Sequence, residues 1–522
     1  MTKPRRAGVI GAVHRKVFGL PPGGMRYTVE RGLRVPTADG AHLLTDVYAP
    51  VGEPHGTVLI RTPYGRGLPE SLFHGRAFAD HGYQVVVQSV RGTGGSTGAF
   101  RPMAQEASDA QDTVAWLRTQ PWFTGRLATL GGSYLGWTQW ALLRDPPPEL
   151  RASVVVVGPH DFARALRGTG SFALADFLGW SATIQARGLP ALLAARRRVK
   201  AALREPTAEA AALGIGAPWF TGWVSHTDLD DPFWTDYDAT AALATTRTPT
   251  LLIGGWHDVF VDQTIEQFQA LEERGVDVAM TIGPWTHLDT TFKAARVTDS
   301  EALSWFDQHL AGTASTRPAP VHSYLTGAGV WRTLSSWPPK TGEHTLALHG
   351  SGQLREEPAE DPGTVEFAYD PADPTPALGG RHMSAKAGRQ DNRPLESRDD
   401  VVTFTSAPLD ADLDVVGAPH LELRMTVESA AQPSLFVRLC DVDDRGRSWN
   451  VTEVFTTTSG SVSLRLGACA HRFLAGHRVR LQISGGAYPR FTRNSAPARY
   501  TLVCADSSLS LPVEPASTKE SA

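Results

Sequence analysis

Three short stretches of this chain carry residue types that can do nucleophilic chemistry together. The first is Leu130-Gly131-Gly132-Ser133-Tyr134-Leu135-Gly136. A strand pattern, Leu127 to Leu130, runs into it and a helical pattern, Tyr134 to Leu143, runs out. A serine on a sharp strand-to-helix turn stands out above its sheet, and small residues are needed beside it because the strained turn leaves no room for side chains. The match to G-x-S-x-G is offset, because the second glycine falls one place late, at Gly136. Gly-Ser clusters are common in loops; the strand–turn–helix setting gives this one its weight. The start of the following helix also presents backbone N–H groups, and that of Tyr134 is placed to bind a developing oxyanion.

A serine hydroxyl is a poor nucleophile at neutral pH unless a base takes its proton. On an α/β-hydrolase sheet the partners follow the serine in the order Asp or Glu, then His. Thr250 to Asp258 (TLLIGGWHD) reads as a buried strand ending in an acid, and Thr281 to His287 (TIGPWTH) as a later strand with a loop histidine. Ser133, Asp258 and His287 each fall just past the end of a strand, so they converge on one sheet edge and fit acyl transfer. Asp262 is a second acid in reach, but at a helix start it reads as an N-cap. His257 beside Asp258 invites a metal reading, yet one His-Asp pair is not a site and no second ligand cluster accompanies it. A second oxyanion donor comes in this fold from the loop after the third strand. Here that loop is Arg61-Thr62-Pro63-Tyr64-Gly65, and the Tyr64 hydroxyl is the candidate; the alternative is a tyrosine packed under an insertion. Trp137, Phe260 and Trp285 flank the three residues in sequence. They either line a pocket for an apolar or aromatic acyl group or belong to the core.

The elements that must position these residues alternate between strand and helix. Tyr27 to Val35 and His42 to Tyr48 form a hairpin about Asp39-Gly40. Short apolar runs follow at Thr57–Arg61, Tyr83–Val90, Leu127–Leu130, Ser153–Val157, Thr250–Gly254 and Val276–Ile282. Helical stretches Ser71–His81, Ala104–Gln120 and Gln263–Arg274 lie between them. Continuous apolar strands alternating with helices predict a parallel sheet covered on both faces. The alternation breaks at residues 146–247, which hold a helical stretch, Ala186 to Leu213, and many aromatics, Phe172, Phe177, Trp180, Trp219, Phe220, Trp223, Phe233 and Trp234 among them. This reads as a helical cap inserted over the carboxyl ends of the strands, its aromatics mostly its own core. Past about Ala314 helical periodicity fades and short alternating runs (His420–Val427, Leu435–Asp441, Val479–Ile483) predict a β-sandwich or jelly roll. The expected domains are therefore a first hydrolase-core part at 1–145 with an N-terminal arm, the cap at 146–247, a second core part at 248–313 and the β domain at 314–522.

Composition narrows the partners. At 522 residues the chain exceeds one hydrophobic core. Its net charge of −4 offers no basic surface for a phosphate backbone, which argues against nucleic acid. Cys440, Cys469 and Cys504 are odd in number and widely spaced, so they read as buried small hydrophobes in a reducing compartment. Ala7 to Val13 after Arg5-Arg6 lacks a small-residue cleavage site and reads as an amphipathic arm, not a signal peptide. No apolar stretch approaches the ~20 residues that span a bilayer, and a cytoplasmic location is the expectation.

The motifs resemble those of the cocaine esterase / X-prolyl dipeptidyl aminopeptidase group of serine hydrolases, from about Tyr27 to about Ser508. Arg61 to Tyr64 resembles the family's oxyanion-tyrosine segment, and Gln88 to Gly98 (QSVRGTGGSTG) its Arg-Gly loop. Gly131 to Trp140 (GGSYLGWTQW) is similar to its nucleophile segment, late glycine included. Gly254 to Phe260 (GGWHDVF) and Gly283 to His287 (GPWTH) resemble its acid and base segments. His226 to Trp234, Arg438 to Glu453 and Gly476 to Asn494 resemble cap and jelly-roll segments. The resemblance implies catalytic roles for Ser133, Asp258, His287, Tyr64 and the Tyr134 backbone, and chemistry with no metal or organic cofactor. It implies a small-molecule ester or amide substrate, with an esterase on apolar acyl groups as the first reading. An X-Pro dipeptidyl peptidase would need a carboxylate for the substrate amine, which Asp228, Asp230, Asp231 or Asp236 could supply, although a solvated acidic turn is simpler. A β-lactam acylase or α-amino ester hydrolase would need a similar anionic cluster. A binding protein on a hydrolase scaffold is the non-enzymatic alternative, and the oligomeric state is open, a homo-oligomer included.

Overall fold

Strands with no polar face need cover on both sides. In the computed structural model, which describes residues 20–21, 23–67, 71–186, 188–205, 207–358 and 363–515, the apolar runs of the first half build one sheet. Strands β1 (Tyr27–Pro36) and β2 (His42–Pro50) form the antiparallel hairpin expected about Asp39-Gly40. β3 (Thr57–Thr62), β4 (Gln84–Ser89), β5 (Leu127–Gly132), β6 (Leu150–Val156), β7 (Thr250–His257) and β8 (Val278–Thr286) follow. Their order across the sheet is β1-β2-β4-β3-β5-β6-β7-β8. The pairs from β4 through β3, β5 and β6 to β7 are parallel, while β2 meets β4 antiparallel. Every residue of β3, β4 and β7 is buried, as two-sided cover requires. The crossovers run through α1 (Glu106–Arg118) between β4 and β5, α2 (Tyr134–Leu143) between β5 and β6, and α3 (Val261–Glu273) between β7 and β8. This is an α/β-hydrolase core. Helix α2 is buried at all ten positions, which its sequence YLGWTQWALL, apolar nearly all round, makes favourable.

By internal packing the chain separates into two units. The first comprises the chain up to Ala163 with Asp230–Gly255 and Gln263–Pro320; the second comprises Arg164–Leu229, Trp256–Asp262 and the chain from Val321 onward. Within the second, the helical insertion forms helices at Leu174–Ile184, Gly188–Ala202, Ala208–Ile215 and Pro218–Ser225. The single helical run expected from Ala186 to Leu213 is in fact two helices. Thr207 starts the second as an N-cap, its hydroxyl accepting the Ala210 N–H at 3.1 Å. The aromatics pack on one another: Phe172 on Phe220, Phe177 on Trp223 and Trp180 on Trp219, with ring centroids 5.5, 6.5 and 6.4 Å apart.

From Val321 onward the second unit is all-β apart from one helical turn, Arg393–Glu396, among the described residues. A twelve-stranded sheet runs from Gly342–His349 to the long strand Ala498–Val513, whose residues alternate between buried and wet. Leu348, Phe404, Leu421, Leu481, Tyr500 and Leu509 centre its core. All three cysteines are buried and unpaired, and burial pushes the Cys440 and Cys469 thiols up to about 12. Residues 5–16, read as an N-terminal arm, lie outside the described residues, as does the tail past Pro515. Among the described residues no helix is long and apolar enough to cross a membrane.

Candidate active site

Ser133 sits between β5 and α2 with φ 57° and ψ −117°, a conformation that costs a non-glycine residue energy and persists only where its surroundings impose it. Those surroundings are specific. Its N–H donates to Val156 O at 2.8 Å, and its carbonyl accepts from Gly136 N at 2.9 Å and Trp137 N at 3.0 Å. A Cβ on Gly131 would lie 2.3 Å from Leu135 Cβ. A Cβ on Gly136 would lie 2.6 Å from Gly158 Cα, and one on Gly158 2.8 Å from Gly136 Cα. The offset glycine is therefore where the first turn of α2 meets the backbone just past β6, and the two glycines make that approach possible together.

His287 follows β8, and its Nε2 lies 2.9 Å from Ser133 Oγ. The loop behind it is held locally: the Thr290 hydroxyl donates to His287 O at 2.6 Å, and the Thr286 N–H donates to Asp289 at 3.1 Å. Asp258 follows β7, is fully buried, and accepts the Phe260 N–H at 2.8 Å. Asp262, read from sequence as an N-cap, is instead the second residue of α3, and its carboxylate takes Arg381 Nη1 on both oxygens at 3.0 and 2.9 Å. Arg381 also donates to Trp256 O at 3.2 Å, so it ties down both ends of the segment that carries Asp258. Burial, reinforced by the charge of Arg381, pushes His257 down to about 4, leaving it neutral at pH 7.

The side chain of Tyr134 points into a polar block that sequence reading missed. Its hydroxyl donates to Glu106 Oε1 at 2.7 Å and accepts from Met103 N at 3.0 Å. Arg61, at the end of β3, meets Glu106 Oε2 at 3.0 Å, and Arg91 meets Asp109 at 2.5 Å. All four charged groups are buried. Burial raises the Glu106 carboxyl and the positive charge of Arg61 opposes that rise. The signal was present: an arginine ending an apolar strand, and acids at two positions one turn apart at the start of α1.

Tyr64 lies two residues past β3 with its side chain 47% exposed and its N–H on Thr62 Oγ1 at 3.1 Å. Trp137, Phe260 and Trp285 are all buried. The Trp137 indole donates to Met103 O at 3.0 Å, and the Trp285 ring folds back over Gly283, where a Cβ would come within 2.5 Å of it. Of the four candidate aspartates, Asp231 caps the turn Pro232–Tyr237 by accepting the Phe233 N–H at 2.8 Å.

A serine on a strained elbow, hydrogen-bonded to a histidine beyond a later strand of an α/β-hydrolase sheet, marks the protein as a serine hydrolase. Residues 39–289 match the X-Pro dipeptidyl-peptidase (S15 family), and residues 296–516 match the X-Pro dipeptidyl-peptidase C-terminal non-catalytic domain. Cocaine esterase from Rhodococcus sp. (strain MB1 Bresler) is 30% identical, with 90% of this chain and 92% of that protein aligned. Two solved structures share the fold over 94% of this chain and 97% of theirs. One is an aminopeptidase from a marine sediment Thaumarchaeota archaeon (TM-score 0.80, 22% identity), the other an α-amino acid ester hydrolase (TM-score 0.79, 23% identity). The chain belongs to the cocaine esterase / X-prolyl dipeptidyl aminopeptidase (CocE/NonD) family of serine hydrolases.

Proposed function

We propose that the protein hydrolyses carboxylic esters with apolar or aromatic acyl groups through an acyl-enzyme on Ser133. The observation that carries this is the 2.9 Å contact between Ser133 Oγ and His287 Nε2, made from a backbone held in a strained turn. Ser133 Oγ attacks the ester carbonyl while His287 takes its proton, and Asp258 orients the imidazole and stabilises its charged form. The tetrahedral oxyanion is met by the Tyr134 N–H, at the first position of α2 where helical bonding leaves donors over, and by the Tyr64 hydroxyl. His287 then returns the proton to the leaving alcohol. Water, deprotonated by the same histidine, releases the acid and restores Ser133.

An ester substrate is favoured by the relatives, one named an esterase and another an ester hydrolase. The family description keeps X-Pro dipeptidyl peptidase as the second reading. The division of labour we infer is a catalytic core from residues 1–145 and 248–313, a helical cap at 146–247 and a non-catalytic jelly roll at 314–522. The buried, unpaired thiols support a cytoplasmic location. The test compares wild type with Ser133→Ala on short and aromatic p-nitrophenyl esters and an X-Pro anilide. Ester turnover that vanishes in the variant is the expected result. Turnover of the anilide alone moves the protein to the peptidase reading. No turnover of any member, with no labelling of Ser133 by a fluorophosphonate, overturns the mechanism.

A further inference from the structure

We propose that Glu106 is a positioning residue for the oxyanion-binding side of the site, its two carboxylate oxygens holding the Tyr134 turn and the Tyr64 segment in one register. The inference rests on the acyl-transfer reading of Ser133 given above. Oε1 accepts the hydroxyl of Tyr134, the residue whose N–H is the first oxyanion donor. Oε2 pairs with Arg61, three residues before the second donor, Tyr64. Arg61 also donates to the Glu106 carbonyl at 2.8 Å and to Gln88 Oε1 at 3.0 Å, so the end of β3 is bound to the start of α1 and to β4. Two further bonds fix the first turn of α2 to the loop ahead of Glu106. Met103 N–H donates to the Tyr134 hydroxyl, and its carbonyl accepts from the Trp137 indole. Met103 itself has φ 70°, a left-handed conformation that only a well-determined setting maintains.

The composition of this block argues for geometry over stability. Buried ion pairs are often no more stabilising than apolar residues of the same volume, and in some proteins what they add is a defined arrangement. Arg91 and Asp109 pair with each other, with Asp39 at the rim 2.7 Å from Arg91 and Arg61 Nη2 at 4.0 Å from Asp109. Glu106 is the member of the block that reaches out of it to the nucleophile's own helix. A tyrosine at 134 in place of a phenylalanine gives that reach its hydrogen bond.

The test uses the full-length protein and four variants: Glu106→Gln, Tyr134→Phe, the double variant, and Asp109→Asn, which breaks the same ionic block without touching Tyr134. Fluorophosphonate labelling of Ser133, kcat and KM on a p-nitrophenyl ester, melting temperature, and affinity for phenylboronic acid are measured. Phenylboronic acid adds to the serine oxygen and places a tetrahedral oxygen where the oxyanion forms. Glu106→Gln and Tyr134→Phe are expected to lower kcat by roughly 10–100-fold, the cost of a displaced group, with KM within about threefold. Boronate affinity should fall by the same factor as kcat, with one label per chain retained. The double variant should lose no more than the more impaired single, because Tyr134→Phe removes a contact that Glu106→Gln already weakens. Asp109→Asn should lower the melting temperature at least as far and leave kcat within about threefold. Unchanged kcat in both single variants, a kcat loss without a boronate loss, or losses that simply track melting across all four would overturn the proposal while labelled Ser133 left the acyl-transfer reading intact. Wild type that takes no label sinks that reading and this inference with it. If Glu106→Gln does not fold, Tyr134→Phe, which removes one oxygen and keeps the ring, decides the matter.

Discussion

Replacing Gly136 with alanine sets a methyl carbon 2.6 Å from Gly158 Cα. Carbon atoms rest at ~3.5–4.0 Å, so α2 and the chain past β6 must separate by about 1 Å. The nearest atom, Gly158 Cα, is backbone and cannot swing aside as a flexible side-chain end would, and α2 is buried at every position. Overpacking of this kind costs about 1–3 kcal/mol and should lower the melting temperature by about 2–4 °C per kcal/mol. The larger consequence is kinetic. Ser133 O bonds both Gly136 N and Trp137 N, so the displaced turn carries the serine with it. A 1 Å misplacement can cost ~10²-fold in turnover. The assay is kcat on a p-nitrophenyl ester beside the rate of fluorophosphonate labelling, both expected to fall together. Gly179→Ala is the control: it lies within the helix Leu174–Ile184, with nothing within 4 Å of its added Cβ. It should be neutral or stabilising by up to ~1 kcal/mol. Full activity and an unshifted melt for Gly136→Ala would refute the argument that close approach, not flexibility, sets the glycine there.

Other outcomes follow from the same geometry. Asp258→Asn should lower kcat by ~10⁴-fold through the wrong imidazole tautomer, whereas Asp262→Asn should keep kcat within a few-fold and lose up to ~1 kcal/mol of stability, since Arg381 loses a half-exposed carboxylate but keeps Trp256 O and Ala468 O; steady-state kinetics and urea unfolding separate the two. Tyr64→Phe should cost ~10²–10³ in kcat with little change in KM. His257, held near 4 when folded against ~6.5 unfolded, binds its proton more readily in the unfolded chain. Its contribution is complete above pH ~6.5 and is lost as pH falls toward 4, at most about 3 kcal/mol. Urea midpoints at neutral and acid pH should show that loss in wild type and a flatter profile in His257→Gln.

The hydrolase core was legible because its signals are local and redundant. Each central strand is a short apolar run, and Ser133, Asp258 and His287 each sit directly after one. Less legible were features set by partners distant in sequence. Gly136 reads from sequence only as a motif glycine one place late, and its reason, the backbone of Gly158 against it, lies 22 residues on. Asp262 carries the local mark of a helix start, and only Arg381, over a hundred residues on, shows what its carboxylate does. Glu106 and Arg61 are separated by 45 residues, and nothing in either neighbourhood announces that Tyr134 joins them. The break at Thr207 carries a local signal, Pro206, which cannot continue a helix interior, but the alanine and leucine on both sides favour helix and carry the run across it.

The second unit has a consequence for how the protein is made. Its helical insertion is bonded to chain that leaves the ribosome much later: Ser171 Oγ to Thr492 Oγ1, the Met383 N–H to Asp176. Ser171 and Thr492 are 321 residues apart, which at ~5–20 residues per second is roughly 15–65 s of synthesis. For that interval a tryptophan- and phenylalanine-rich segment is complete while its partners do not yet exist. Slowing translation after residue 230 should therefore lower soluble yield more than slowing it before residue 160.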